Sequence, residues 1–340
     1  MEFYNVLIAW YLQNKRDLPW RHTNNPYLIW LSEIMLQQTR VAQGLPYYLR
    51  FVDAFPTVFD LAYANEEQVL KLWQGLGYYS RARNLHKAAK FVAEDLAGVF
   101  PSSYKELLNL PGVGSYTAAA IASFAYGEPV AVVDGNVYRV LARYFDVDTD
   151  IASSGAKQEF QDLAQGLMPN DHAALFNQTM MEFGALQCVP KSPDCSICVF
   201  NDSCAALQKG KVSMLPVKRK KAKAKNRYFN YLVVEDDFKN TIVQKREEQG
   251  IWQNLYEFPL VESLESINEP NVEYLKLDSD KLSIYELDHL AVIHKLSHQH
   301  LHIKFWKLKF KGKIENGVNL DDLEQLPFPI VLYNFIEKHW

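Results

Sequence analysis

The segment "LNLPGVGSYTAAAIASFAYG" (residues 108–127) places two glycines, Gly112 and Gly114, in a tight turn directly before a helix of small residues. Glycine lets a backbone approach an anion closely, and the free N–H groups at the start of a helix attract phosphate. A helix–helix turn that binds nothing fits the same letters equally well. The rest of the chain has to decide between a ligand-binding hairpin and a structural turn.

Two carboxylates are candidates for chemistry. Asp134, in "AVVDGNVYRVLAR", follows an apolar run and precedes Gly135, so it is placed to cap the next helix, and capping alone would account for it. Glu33 lies inside "LIWLSEIML", a helix so apolar on all sides that it must be largely buried. Burial raises the pKa of a glutamate, so that it can hold a proton near neutral pH. Structural pairing is the alternative for Glu33.

The first half of the chain is predicted to be helical. Up to about residue 187 apolar residues recur at spacings of three and four, and the breaks fall at proline and glycine. In "NNPYLIWLSEIMLQQT", Asn25 can cap a helix and Pro26 suits its first position.

The texture changes after the basic run "VKRKKAKAKNR" (residues 217–227), which we interpret as a solvated linker, with a nuclear address as the alternative. Alternation in "YFNYLVVE", "NTIVQKR" and "HLHIKFWKLKF" then predicts the strands of an α+β domain, closed by a helix near "PIVLYNFIEKHW". In the third segment the apolar residues change face at Trp306, where we expect a β-bulge. The predicted parts are residues 1–208, a linker at 209–227, and residues 228–340.

Composition sets the class of protein. A chain of 340 residues with 48% hydrophobic residues can build two ordinary cores. Glu2 stands where an export signal needs positive charge, and no apolar run has the length of a membrane span, so we expect a cytoplasmic protein. Residues 1–227 carry 24 Lys and Arg against 21 Asp and Glu, while residues 228–340 carry 12 against 19. Any phosphate-binding surface must therefore be local.

All four cysteines stand in "CVPKSPDCSICVFNDSC" (residues 188–204). Four thiolates from one loop can wrap a single metal centre, either zinc or a cubane iron–sulfur cluster. Zinc sites more often pair two C-x2-C knuckles, and here only Cys195 and Cys198 form one. The unequal C-x6-C-x2-C-x5-C spacing favours an iron–sulfur cluster, with zinc, and free or disulfide-bonded thiols, as the alternatives.

Together, the "LPGVG" hairpin, the aspartate of "VDGNV" and the cysteine loop resemble the helix-hairpin-helix DNA glycosylases. "LPWR", "SEIMLQQTRV" and "GLGYYSRARNLH" are similar to the adenine DNA glycosylase (MutY) branch, which removes adenine mispaired with 8-oxoguanine. The resemblance implies an all-α helix-hairpin-helix domain with a 4Fe-4S loop, followed by an α+β Nudix-like domain. It also implies a monomer that acts on double-stranded DNA containing A:8-oxoguanine or A:G mispairs.

The resemblance assigns roles to individual residues. Glu33 is the general acid at adenine N7, and Asp134 stabilises an oxocarbenium-like sugar. Tyr116 and Asn136 position the sugar and water, and Arg21 orders the pocket. DNA contacts fall on Gln38, Thr39, Tyr78, Gly112 and Gly114, and the cluster ligands are Cys188, Cys195, Cys198 and Cys204. Bifunctional relatives of the endonuclease III type carry a lysine where Tyr116 stands, so hydrolysis without strand cleavage is expected.

The C-terminal part resembles a Nudix domain through "GIWQNLYEFP", but it lacks the acidic R-E-x-x-E-E core, so we expect a binding module. In "KLSHQH", Leu296, Ser297 and His298 stand where the family reads the damaged base with Phe-Ser-His. Two other functions stay open. One is a glycosylase of the same scaffold for another base, such as thymine in G:T, and the other is a non-enzymatic iron–sulfur module that binds DNA or senses redox state.

Overall fold

The computed structural model describes residues 3–219, 224–286 and 292–340. Four residues named above, Glu2 and three lysines of the basic linker (Lys220, Lys221 and Lys223), lie outside the described residues.

The chain divides into two compact units. The first unit comprises Met1–Tyr63 and Lys87–Lys220, and the second comprises Ala64–His86 and Lys221–Trp340. Residues 64–86 are thus grouped with the C-terminal strands, which the sequence pattern does not indicate. The boundaries given above for the three predicted parts stay predictions.

Helices make up most of the regular structure before the strands. In chain order they are α1 (Phe3–Asn14), α2 (Pro26–Leu36), α3 (Val41–Ala54), α4 (Val58–Tyr63), α5 (Glu66–Leu72), α6 (Ser80–Glu94), α7 (Tyr104–Leu107), α8 (Ser115–Tyr126), α9 (Gly135–Phe145), α10 (Ala156–Leu167), α11 (Ala173–Leu186) and α12 (Ala205–Gln208). Helix α5 and the start of α6 belong to the second unit. Within the described ranges, no helix is both long and apolar enough to cross a membrane.

Local sequence explains where α2 and α9 begin. Asn25 accepts a 2.9 Å hydrogen bond from the main-chain N of Tyr27, and Pro26 occupies the first turn, which confirms the predicted cap of α2. Eight of the eleven residues of α2 are buried, as its largely apolar sequence predicts. Asp134 caps α9 through its side chain. Both candidate carboxylates therefore sit on elements that the surrounding sequence fixes.

The core of the first unit joins α1, α9, α10 and α11. These helices contribute large buried side chains to it: Leu7, Trp10, Leu141, Phe160, Phe176 and Phe183. Helices α9 and α11 pack directly on each other. Helix α9, at whose start Asp134 lies, is therefore held by a well-packed core.

Among its described residues, the second unit contains a mixed five-stranded sheet and two small two-stranded sheets. The strands of this unit are β1 (Lys225–Asp236), β2 (Asn240–Thr241), β3 (Gln244–Lys245), β4 (Tyr256–Glu257), β5 (Leu260–Ser263), β6 (Leu282–Glu286), β7 (Val292–Lys295), β8 (Gln299–Phe310) and β9 (Val318–Asn319), and helix α13 (Ile330–His339) follows them. The small sheets pair β2 with β9 and β3 with β4. The main sheet has the order β5-β1-β8-β6, and β7 also pairs with β8. Strands β1 and β8 are parallel, while the other pairs of this sheet are antiparallel.

The β-bulge expected at Trp306 is wrong for the pairing of β8 with β1. The parallel register runs without a break from Lys225 opposite Gln299 to Asp236 opposite Phe310. Apolar residues change face because both faces of β8 are covered towards its end. Leu301, Ile303 and Phe305 are buried on one face, while Trp306 and Leu308 join a second cluster with Leu232 and Val234.

Candidate active site

A cavity of about 630 Å³ in the first unit contains both candidate carboxyls. Glu33 from α2, Tyr116 from α8 and Asp134 at the start of α9 line it together. Four other predicted residues also line it: Arg21, Gln38, Thr39 and Asn136. The volume lies within the roughly 300–1,000 Å³ of ordinary ligand sites. Residues that are distant in sequence thus form one cavity of a size suited to a small ligand.

The Glu33 carboxyl is buried and has one hydrogen-bonding partner from α8. Glu33 is only 5% exposed, and the Tyr116 hydroxyl donates a 2.5 Å hydrogen bond to its Oε2. Burial raises the pKa of Glu33 to about 7, and the nearby charge of Asp134 acts in the same direction, while the Tyr116 hydrogen bond and Arg21 oppose it. Burial also raises the pKa of Tyr116 well above its usual value, so the phenol keeps its proton and acts as the donor.

Asp134 is surrounded by donors. Oδ1 accepts hydrogen bonds from the main-chain N of Asn136 and of Val137, both at 2.8 Å, and Oδ2 accepts from Asn136 Nδ2 at 2.7 Å. Burial raises the pKa of Asp134 above its ordinary value, and these three hydrogen bonds together with the charge of Arg139 oppose that rise. The positive end of α9 also favours an anion here. The two carboxyls of the cavity therefore have different environments, one apolar and one rich in donors.

Arg139 holds Asn136 from its other side. The arginine is 7% exposed, and its Nη2 donates to Asn136 Oδ1 at 2.8 Å and to the Gly184 carbonyl at 2.6 Å. Its Nε donates to the carbonyl of Cys188 at 2.6 Å. Because Asn136 accepts from Arg139 and donates to Asp134, the orientation of its amide is fixed.

Helices α9 and α11 meet at Gly184 without a side chain between them. A Cβ built on Gly184 would lie 2.6 Å from the Cβ of Asn136 and 2.9 Å from its carbonyl oxygen, closer than atoms in real structures come. The absence of a side chain at position 184 is what lets α9 approach α11 this closely.

Arg21 lines the cavity but is bound to a carboxylate that the sequence analysis did not select. Its Nη1 and Nη2 donate to Glu182 Oε1 and Oε2 at 3.0 and 2.7 Å. Arg16 binds the same carboxylate with its main-chain N, Nε and Nη2, at 2.8, 2.9 and 2.6 Å. Burial alone would raise the pKa of Glu182, but the hydrogen bonds from both arginines lower it to about 2.

The two hairpin glycines lie beside the cavity lining and not in it. Gly112 has a φ of 74°, a conformation that favours glycine. Gly114 is the N-cap residue of α8 and supplies no side-chain cap, so the first N–H groups of α8 are left for another partner. Binding of phosphate by this turn stays a prediction.

Two of the residues predicted to contact DNA share an unusual backbone conformation. Gln38, just after α2, has a φ of 58°, and Tyr78, just before α6, has a φ of 49°. Both side chains are exposed. For residues other than glycine this conformation costs about 1–2 kcal/mol, and such strain is concentrated at functional sites.

Tyr78 belongs to a second cavity, which lies within the second unit. This cavity has a volume of about 500 Å³, and Trp252, Leu296, Ser297 and His298 also line it. The hydroxyls of Tyr78 and Ser297 are hydrogen-bonded at 2.5 Å, although 219 positions separate them in sequence. Three predicted residues that do not line the first cavity, Tyr78, Ser297 and His298, are therefore gathered here.

The four cysteines line one small apolar pocket in the first unit, and none of them is disulfide-bonded. Arg143 donates through Nη1 to Cys188 Sγ at 3.3 Å, and to the carbonyl oxygens of Val189 and Pro190. Burial raises the pKa of Cys198 to about 11, so a thiolate there needs a positive partner. In the described part of the chain, no group of three or more His, Cys, Asp and Glu side chains is placed to hold a single metal ion.

Five polar residues of the cavity that contains Glu33 and Asp134 were not predicted from the sequence: Arg16, Ser32, Arg40, Gln178 and Glu182. Gln178 Oε1 accepts a 2.9 Å hydrogen bond from Tyr11. Glu182 is the only charged residue of "FNQTMMEFGAL", which is close to the signal that selected Glu33. Applying that criterion to the whole chain would have found it. Arg16 and Gln178 carry no comparable signal.

Comparison with known proteins matches a family model to each of the two parts of the chain. The model of the HhH-GPD superfamily of base excision DNA repair proteins matches residues 31–165, and that of the NUDIX domain matches residues 230–338. An adenine DNA glycosylase from Buchnera aphidicola subsp. Baizongia pistaciae is 36% identical over 298 residues, which cover 85% of this chain and 84% of that protein. The adenine DNA glycosylase of Homo sapiens is 45% identical over 216 residues, 61% of this chain and 40% of that protein.

Two solved structures resemble part of the chain. A thermostable thymine-DNA glycosylase is 32% identical, with a TM-score of 0.57, over 61% of this chain and 95% of its own. Endonuclease III in a non-covalent complex with DNA gives a TM-score of 0.54 at 24% identity over 61% of this chain and 94% of its own, a likeness of fold alone.

These matches confirm the predicted fold class and the predicted family. The match to a relative that is 36% identical covers 84% of that relative's length. The two family models match the helical part and the strand-rich part of the chain, respectively. The chain belongs to the adenine DNA glycosylase (MutY) family, with an all-helical HhH-GPD domain followed by a mixed α/β NUDIX domain.

Proposed function

We propose that the protein removes adenine from A:8-oxoguanine and A:G mispairs in double-stranded DNA by hydrolysing the N-glycosidic bond. The observation that supports this most is the pair of carboxyls in one cavity, Glu33 in an apolar wall and Asp134 among hydrogen-bond donors. Environments that separate the behaviour of two acids in this way are how glycosidases divide the roles of acid and anion.

Glu33 is the general acid. Adenine leaves poorly until its ring is protonated, and it must first be flipped out of the duplex into the cavity. With a pKa raised to about 7, Glu33 still carries a proton in a good fraction of molecules at neutral pH. Because Tyr116 donates to Oε2, the proton of Glu33 is left on Oε1, where it can be given to adenine N7.

Asp134 stabilises the charge that follows. The bond between C1′ and N9 breaks, its electron pair leaves with the protonated adenine, and the sugar becomes oxocarbenium-like. Asp134, held by three donors at the start of α9, lies in the same cavity as a fixed negative charge. Water then adds to C1′ and gives a proton back to Glu33, which restores the resting enzyme.

The reaction stops at the abasic site. Tyr116 occupies the position at which bifunctional relatives carry a lysine, and a phenol cannot form a Schiff base with the sugar. Tyr116 and Asn136 instead position Glu33 and Asp134 through the hydrogen bonds described above. We therefore expect abasic DNA whose strand is intact until alkali is added.

A 4Fe-4S cluster is assigned to the cysteine pocket. All four cysteines line this pocket, and their unequal C-x6-C-x2-C-x5-C spacing favours a cubane over a zinc ion held by two C-x2-C knuckles. Cys188, Cys195, Cys198 and Cys204 would hold the cluster, which would brace the loop at residues 188–204. Iron and labile sulfide in protein purified without air would support this, and stoichiometric zinc without sulfide would overturn it.

Recognition of the partner base is assigned to the second cavity. Tyr78 and Ser297 are hydrogen-bonded to each other at its edge, and His298 also lines it. A strained, exposed aromatic residue beside a cavity of about 500 Å³ is suited to stack on a base whose neighbour has been flipped out. Gln38 and Thr39 would contact the strand at the mouth of the catalytic cavity, and the enzyme would act as a monomer.

A thymine glycosylase acting on G:T mispairs is the second candidate, because a solved thymine-DNA glycosylase is 32% identical over 61% of this chain. One experiment separates the two. Duplexes with A:8-oxoguanine, A:G, G:T or an oxidised pyrimidine are incubated with the protein, and abasic sites are assayed with and without alkaline cleavage. We expect adenine release from the first two, with strand breaks only after alkali. Thymine release with inert A:8-oxoguanine would replace the proposal, and no release from any duplex would favour a binding module.

A further inference from the structure

The carboxylate of Glu182 is the most heavily hydrogen-bonded acid of the catalytic cavity. It is 1% exposed and accepts five hydrogen bonds, three from Arg16 and two from Arg21. Two guanidinium groups face one carboxylate, so the cluster of Arg16, Arg21 and Glu182 keeps a net positive charge in the wall of the cavity. Removing one partner from a buried group of charges of this kind strongly destabilises the folded protein, because an unpaired charge is left behind.

This cluster stands in the same cavity as the acid that must stay protonated. The charged and titratable groups that line it are Arg16, Arg21, Glu33, Arg40, Tyr116, Asp134 and Glu182. Of these, Asp134 favours the protonated form of Glu33, whereas Arg21 and the hydrogen bond from Tyr116 favour the ionised form. A guanidinium that reached the Glu33 carboxyl would ionise it and remove the proton that the reaction needs.

We propose that Glu182 is a positioning residue that holds Arg21 on α11 and away from Glu33, so that Glu33 enters the reaction as a protonated acid. The inference rests on the proposed function and extends it to a residue that does not touch the reacting atoms. The paired hydrogen bonds from Nη1 and Nη2 of Arg21 fix the plane of its guanidinium, and a third, from Nη1 to the carbonyl of Arg16, restrains it further.

The test is the pH profile of the single-turnover rate of adenine release in Glu182→Gln. The substitution frees Arg21, which then favours the ionised form of Glu33. We therefore expect the high-pH limb of the profile, where the rate falls as Glu33 loses its proton, to move to lower pH by about one unit. The rate should fall about tenfold well above that limb and less than about twofold well below it. A purely structural role would instead lower the rate by the same factor at every pH, and that result, or an unchanged profile, overturns the proposal.

Two further variants keep the test decisive. In Arg21→Gln/Glu182→Gln no guanidinium is released, so the limb should not move to lower pH. If Glu182→Gln does not fold, Arg21→Gln alone leaves Glu182 paired with Arg16, and the high-pH limb should stay in place or move to higher pH; a limb that moves to lower pH overturns the proposal. Asp146→Asn is the matched control, since Asp146 also binds two basic side chains, Lys209 and Lys211, but does not line the cavity. Failure of the wild-type protein to release adenine would reject the proposed function itself, and is read separately from any shift of the limb.

Discussion

Tyr116 donates a 2.5 Å hydrogen bond to Glu33 across 83 positions of sequence, and both groups are buried in one cavity. The bond uses one carboxyl oxygen and leaves the other for a ligand. It also stabilises the ionised form of Glu33, against the larger effect of burial. The availability of the Glu33 proton is therefore a balance between an apolar helix and one phenol, and both sides of that balance can be tested.

Glu33→Gln should bind A:8-oxoguanine duplex but lose excision by about 10²–10⁴-fold, the usual contribution of a general acid. Glutamine keeps the shape and can still accept from Tyr116, but it cannot supply a proton. Single-turnover assays on a labelled duplex measure the loss, and gel-shift titration measures binding. Undiminished adenine release by this variant would assign the acid to another residue.

The same substitution should stabilise the folded protein above neutral pH. The folded-state pKa of Glu33, about 7, lies above the ordinary value of 4.5, so the folded state holds this proton more tightly than the unfolded state. Stability of the wild type therefore falls as pH rises from about 4.5 to 7, and Glu33→Gln removes that loss, by about 3 kcal/mol at pH 8. Thermal melts at pH 4 and pH 8 should show a gain at pH 8 only. An equal gain at both values would rule out ionisation as its cause.

Tyr116→Phe should move the high-pH limb of activity in the opposite direction to Glu182→Gln. Without the phenol, the ionised form of Glu33 loses a donor and its pKa rises further, so activity should persist to higher pH by about one unit. The rate on the plateau should fall, because the carboxyl is no longer oriented. Rate–pH profiles of the two variants, measured side by side, check the signs. Limbs that move together would mean that the hydrogen bond and the arginine do not act on Glu33 separately.

Arg139→Gln should weaken both catalysis and the cysteine loop. The arginine binds Asn136 and the carbonyls of Gly184 and Cys188, and glutamine cannot reach all three. Because buried groups are then left unpaired, we expect the free energy of unfolding to fall by about 3 kcal/mol or more. Arg143→Gln is the matched control, because Arg143 binds the cysteine loop but not Asn136. Excision measured per iron-loaded molecule should fall only in the Arg139 variant; an equal fall in both would contradict a specific role of Asn136.

Leu296→Phe should increase the binding preference for A:8-oxoguanine duplex over A:G duplex by about fivefold. An aromatic ring in the second cavity can stack on a base, whereas leucine cannot. Leu264→Phe, at a position 99% exposed and outside the cavity lining, is the control for added apolar surface. Equilibrium binding to non-cleavable duplexes measures both. A similar gain in the two variants would show that the ring adds only non-specific contact.

The predictions from sequence held where a short segment determines the outcome. The cap at Asp134 follows from its neighbours, and the burial of Glu33 follows from a helix that is apolar on every side. The bond between Tyr78 and Ser297 depends on how the second unit folds, and no local pattern indicates it. The bulge at Trp306 was wrong because alternation was read as if one face of β8 were solvated, whereas both faces are covered towards the end of the strand.

The partners of Glu182 could not be predicted from a local pattern either, because its two arginines are 161 and 166 positions away in sequence. A lone acid in an apolar helix can be recognised in sequence, but nothing in the sequence distinguishes an acid that will be paired from one that will hold a proton. The structure separates the two: Glu182 has two guanidinium partners and a pKa lowered to about 2, and Glu33 has one neutral donor and a pKa raised to about 7.

Because the backbone at Gly184 is bare, we expect one added methyl group there to inactivate this enzyme, although position 184 does not line the cavity. An alanine there would have to separate α9 from α11 or displace Asn136, and Asp134 would be carried away from the sugar with it. Such a variant would keep every acid, donor and cysteine in its sequence. A survey of natural variants that weighs only chemically active side chains would pass it as harmless.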